Sequence, residues 1–160
     1  KFRWCGADKP GTYFDENARG IVSTLRNQIF TPLAIGYLQR GDKAKAQTIL
    51  RKCMSVILEE NVPYETSALY FADALYRADM KKEDHVLQAI ARRSLSTLAW
   101  AVQLSPEKFD EVSRHGDLQD AYTAISYALD FSKMYQSDAL KAYEAEISAL
   151  LRRLGVAPQQ

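Results

Sequence analysis

The chain has 160 residues, with 21 Lys and Arg against 20 Asp and Glu, a formal charge of +1. That balance excludes a general nucleic-acid binder and a polybasic membrane patch, and the length suffices for a core without metal or disulfide staples. Ala (21) and Leu (17) far outnumber Val plus Ile (15), and Gly plus Pro total only 12, which predicts helices joined by short loops.

Residues 1–14 read as an irregular arm, punctuated by Gly6, Asp8, Pro10 and Gly11. Asp15 is placed to cap a helix in which Ile21, Leu25, Ile29, Leu33 and Tyr37 recur every four residues and draw one apolar ridge. Pro32 predicts a kink or break near 30–32. Gly41 ends this helix and Asp42 caps the next, about 43–59, with Ala46, Ile49, Leu50, Cys53, Met54 and Ile57 on one face. A third helix at about 64–79 turns Leu69, Ala72, Leu75 and Tyr76 inward. A fourth at about 82–103 carries Val86, Leu87, Ile90, Ala91, Leu95, Leu98 and Val102.

Ser105-Pro106 opens a short helix through Phe109 and Val112, which Gly116 stops. Asp117 is the expected cap of a sixth, with Ala121, Ile125, Ala128, Leu129 and Ser132 inward. Ser137 is the expected cap of the last, with Leu140, Tyr143, Ile147, Leu150, Leu151 and Leu154 inward, and Gly155 and Pro158 ending it. No segment alternates at period two. The expected fold is all-α, an antiparallel array of about seven helices forming one domain over 15–155 after the arm, with 156–160 a tail.

A shift of 38 residues aligns Leu33 with Phe71, Ala34 with Ala72, Tyr37 with Leu75, Ile49 with Leu87 and Cys53 with Ala91. The best unit, 27–60, resembles a tetratricopeptide repeat: Ala34 and Ala46 as small contacts, Tyr37, the Gly41-Asp42 turn, Leu50 and Cys53. It departs from that motif at Phe30, where tryptophan is usual, and at Pro63, which arrives late. If that geometry holds, the wall of a peptide groove is Gln28, Thr31, Ile35, Leu38 and Gln39. Apolar Ile35 and Leu38 there suit a hydrophobic peptide and equally suit packing against a neighbouring helix.

A wider resemblance rests on Tyr13-Phe14-Asp15-Glu16-Asn17, Arg19, Arg26-Asn27, Gly41-Asp42-Lys43, Ala46, Leu50, Cys53 and Val62-Pro63-Tyr64. These look like the carboxy-terminal tail of bacterial multi-pass membrane proteins similar to protein O-mannosyltransferases of the GT-C type. The resemblance is strongest over 13–64. It implies an extracytoplasmic (periplasmic) module of a larger membrane protein, with transferase chemistry outside this chain. It transfers no catalytic residue. The opening Lys1 likewise reads as that of a piece from a longer chain.

Catalytic chemistry finds no constellation. His85 and His115 stand 30 residues apart without partners at metal-ligand spacing, and neither a phosphate-cradling glycine loop nor a Gly-x-Ser-x-Gly elbow is present. The expectation is a noncatalytic module without cofactor or metal that binds a protein or peptide, among them the parent's own membrane domain. Presenting acceptor or sugar to the parent's active site, using the tyrosine-rich third helix (Tyr64, Tyr70, Phe71, Tyr76), and a purely structural cap are the alternatives. Asp15, Glu16, Arg19 and Arg26 form a charged edge that serves as helix cap and surface pairing, or as a docking edge; Asp15 and Arg19, four apart, suit an ion pair. Cys53 reads as a small buried hydrophobe, and the spacing leaves a bridge to Cys5 open.

Overall fold

The computed structural model describes Trp4, residues 6–114 and residues 116–154, and every regular element among them is helical. Cys5, His115, Gly155 and Pro158 lie outside the described residues. The packing groups the chain into two compact units, Lys1–Glu83 and Asp84–Gln160.

In the first unit the Asp15 carboxylate accepts the Ala18 amide at 2.8 Å and starts α1, Glu16–Thr24. A π-helical turn, Leu25–Phe30, leads directly into α2, Thr31–Gln39. Backbone angles stay right-handed helical through Thr24, Leu25, Phe30 and Thr31, so the run continues where a break is predicted. Pro32 has no N–H and its ring crowds the carbonyl one turn back. The widened turn lies just before it. Its carbonyl at Arg26 takes both the Thr31 N–H and, at 2.8 Å, the Thr31 hydroxyl.

That widened turn adds one residue to the helical period and rotates everything after it. The buried line therefore runs Val22, Arg26, Thr31, Ala34, in steps of four, five and three. The ridge read as core does not hold: Ile29 (55% exposed) and Leu33 (50%) are carried outward, Leu25 and Tyr37 are half-buried, and Ile21, ahead of the turn, is already 69% exposed.

Gly41, at φ 77°, makes the left-handed turn after α2, and Asp42 caps α3, Lys43–Val56, by accepting the Lys45 amide at 3.1 Å. The short connection returns α3 against α2, with Ala34 and Ala46 both fully buried and Leu50, Cys53, Val56 and Ile57 filling the interior. The arm is irregular, as expected, yet it is bound. The Ala7 carbonyl accepts the Leu58 amide and Asn61 Nδ2, both at 3.1 Å; Asn61 Nδ2 also reaches the Lys9 carbonyl at 2.7 Å. A 3-10 turn, Thr66–Ala68, precedes α4, Leu69–Arg77, which buries Leu69, Phe71, Ala72, Ala74, Leu75 and Tyr76.

In the second unit α5, His85–Ala101, packs along α7, Asp117–Met134. Val86, Leu87, Ile90, Ala91, Leu95 and Leu98 are buried on one, and Ala121, Ala124, Ile125 and Ala128 on the other. Between them α6, Pro106–Ser113, opens on Ser105 with proline at its first turn and lies against α7. Gly116 (φ 85°) occupies the cap position of α7, so Asp117 is the first helical residue rather than the cap. There its carboxylate still complements the helix dipole. Ser137 Oγ accepts the Ala139 amide at 3.0 Å, which shapes a turn and defers α8 to Glu144–Arg153, where Ile147, Leu150 and Leu151 are buried. With α1, the π turn and α2 counted as one run, seven helices are described.

Candidate functional site

The residues singled out from sequence gather on the α1–α2 run, and the π turn decides which of them reach solvent. Arg26 does not. It is 1% exposed, and its guanidinium donates to the Val62 carbonyl (2.5 Å) and the Pro63 carbonyl (3.2 Å) while lying 4.4 Å from the Tyr64 ring centroid. It staples the loop before α4 to the π turn. Burial pulls this guanidinium below its ordinary value, against the opposing pull of Tyr64, Cys53, Glu65 and Glu59. Burial also pushes the Tyr64 phenol and the free Cys53 thiol up, each to about 12, with Arg26 opposing both. Arg26, Tyr64 and Cys53 thus form one buried cluster.

Thr31 is likewise lost from the expected groove wall: it is 1% exposed, with its hydroxyl spent on the Arg26 carbonyl. Gln28 and Gln39 are exposed, and Ile35 and Leu38 are half-buried. The outward surface of the run is instead Ile21, Ile29 and Leu33, bordered by Gly20, Thr24, Gln28 and Pro32. Arg26 is the single charged residue between Gly20 and Gln39, and it is buried. This face therefore shows no charge over five helical turns. A Cβ built on Gly20 or Gly36 meets nothing within 4 Å, so an approaching surface finds no side chain standing over either glycine.

At the helix start, Asp15 and Arg19 do not pair. Asp15 is engaged as the cap, and Arg19 Nε donates to the Phe14 carbonyl at 2.9 Å. Glu16 is exposed in the first turn, where its charge suits the dipole. Of the aromatic group expected on a helix from 64, Tyr64 lies in the loop before α4; it, Phe71 and Tyr76 are buried, with Tyr64 stacked at 6.1 Å on Phe71, and Tyr70 is 72% exposed.

The second unit holds a feature the sequence reading missed. Tyr127, Phe131 and Tyr135 step along α7 with centroids 6.4 and 6.2 Å apart, at a four-residue spacing that was legible. Among the described residues no group of three His, Cys, Asp or Glu could hold a metal, and no helix is long and apolar enough to cross a membrane. Comparison with protein-family models, curated proteins and solved structures gives no match.

Proposed function

We propose that the chain is a noncatalytic docking module that seats an uncharged, apolar helical surface of a partner protein on the outer face of α1–α2. One observation carries this: Ile21, Ile29 and Leu33, eight and four residues apart along the run that holds the π turn, stand exposed on a face without a single accessible charge from Gly20 to Gln39. An amphipathic helix resting on a membrane surface would border its apolar face with Lys and Arg. Their absence here favours a protein surface, which also keeps the apolar groups from water. The resemblance to the tails of O-mannosyltransferase-like membrane proteins supports a periplasmic setting and makes the parent's own membrane domain the first partner to try. The tetratricopeptide-like reading is supported by the α2–α3 hairpin with Ala34 and Ala46 buried. The sugar-presenting alternative draws no support from the third helix, whose aromatics are mostly buried.

The test is a photo-crosslinking amino acid placed singly at positions 29 and 33, with positions 48 and 52 on exposed α3 as controls, in the chain expressed within its natural parent. Crosslinks from 29 and 33 to one apolar segment of another protein or of the parent, absent from the controls, are expected. Crosslinks confined to a second copy of this chain, or equal at all four positions, would overturn the reading.

A further inference from the structure

Away from that face, the arm, the start of α1 and the loop before α4 enclose a cleft of about 270 Å³ lined by Tyr13, Phe14, Arg19, Glu60, Asn61 and Pro63, among others. Its walls are pinned. Gly11 N donates to Glu60 Oε1 at 3.2 Å, and Asn61 Nδ2 holds the Ala7 and Lys9 carbonyls.

Two charged groups at this cleft have unspent capacity. Arg19 uses Nε on the Phe14 carbonyl, which fixes the guanidinium plane and leaves its two Nη groups without a protein partner among the described residues. Glu60 has its second oxygen in hand, and no ion pair joins it to Arg19 within 4.0 Å although both line the same cleft. Asn61 is 4% exposed and its Oδ1 is sealed from solvent, so this side chain braces the wall through Nδ2 and presents no acceptor to the cleft.

A cation and an anion that share a cleft without pairing are complementary to a molecule that carries both signs. We propose that this cleft binds a small zwitterion of the α-amino-acid class, its carboxylate on the Arg19 fork and its ammonium on the Glu60 carboxylate. The planar Nη pair matches a carboxylate's two oxygens. An ammonium donates to the Glu60 oxygen that the arm leaves unused. Phe14, Pro63 and the Tyr13 ring offer an apolar wall for the side chain. A bare anion would face Glu60 uncompensated, and a neutral polyol would leave both charges unmatched.

The experiment is an amide NMR titration of the whole chain with L-leucine, L-leucinamide (no carboxylate), N-acetyl-L-leucine (no ammonium) and methyl glucoside. Saturable shifts from leucine at residues 11–14 and 60–61 are expected, with each single-charge analogue bound at least about tenfold more weakly. Glu60→Gln keeps an acceptor for Gly11 N and so keeps the arm in place. It is expected to weaken leucine at least about tenfold while the remaining amide spectrum is unchanged. No saturable response to leucine up to about 50 mM, equal binding of leucine and either analogue, or binding of the glucoside alone would each overturn the proposal.

Discussion

Replacing Arg26 with Ala tests whether the π turn and the loop before α4 are one structural unit. The loss comprises two hydrogen bonds from a charged donor, at about 1.5–3 kcal/mol each, and the contact with Tyr64, worth about 2 kcal/mol when desolvated. Against this, the folded state no longer carries the desolvation of a buried cation, a penalty of several kcal/mol. The net expectation is a destabilisation of about 3 kcal/mol, similar to removing one member of a buried charged contact. Urea unfolding followed by Trp4 fluorescence reads it, because Trp4 lies 5.8 Å from Phe30 in the same unit. A Trp100→Phe background removes the second tryptophan, which is 50% exposed and tolerant of change. With a urea slope near 2 kcal/mol/M, the midpoint falls by about 1.5 M. Arg26→Lys keeps the charge without the planar fork and falls between the two. A midpoint within about 0.25 M of the parent, or about 0.5 kcal/mol, would refute the staple.

Other outcomes follow from the same geometry. Cys53 and Tyr64 hold their protons to about 12 in the folded chain, above the ordinary values of 9.0 and 10.0. The unfolded chain loses those protons first, so stability is full below pH 9 and declines as pH rises from there toward 12; urea midpoints measured at successive pH values check this, and Tyr64→Phe is expected to flatten the slope. In a Cys5→Ser background Cys53 is expected to react with a thiol reagent only as fast as the first unit opens, and rapid labelling of the native chain at pH 8 would contradict its burial. Gly41→Ala, at φ 77° with open space around it, is expected to cost about 1 kcal/mol by backbone strain alone. Gly41→Asn is expected to cost less, read as a smaller fall in thermal midpoint. Asp15→Ala removes the cap on the Ala18 amide and is expected to cost about 1 kcal/mol on the same scale.

The helices whose period runs unbroken were legible in sequence. The inward residues assigned to α5 and α7 are largely buried, because small and branched residues at three- and four-residue steps leave one solution for a straight helix. The α1–α2 run misled for a physical reason. A four-residue ridge from Ile21 to Tyr37 presumes a uniform helix, and one added residue in the π turn carries Ile29 and Leu33 outward while Thr31 moves in. Pro32 marked the place without marking the outcome, since a kink, a break and a wider turn all answer its missing N–H. A charged residue is also the last to be expected in a core; what brings Arg26 inside is a pair of loop carbonyls 36 and 37 residues away, which local pattern does not display. The docking of the arm escaped notice likewise, because it depends on Asn61 reaching back more than fifty residues to two backbone carbonyls.

The most direct measurement of the docking claim pairs stability with partner capture in a single variant, Ile29→Glu with Leu33→Glu. Both side chains are at least half exposed, so the account predicts a urea midpoint within about 0.5 kcal/mol of the parent chain. It predicts, in the same protein, loss of the position-specific crosslink at neighbouring Thr24 or Gln28. A variant that folds equally well and keeps its crosslinked partner at the parent's yield would contradict the assignment of this face.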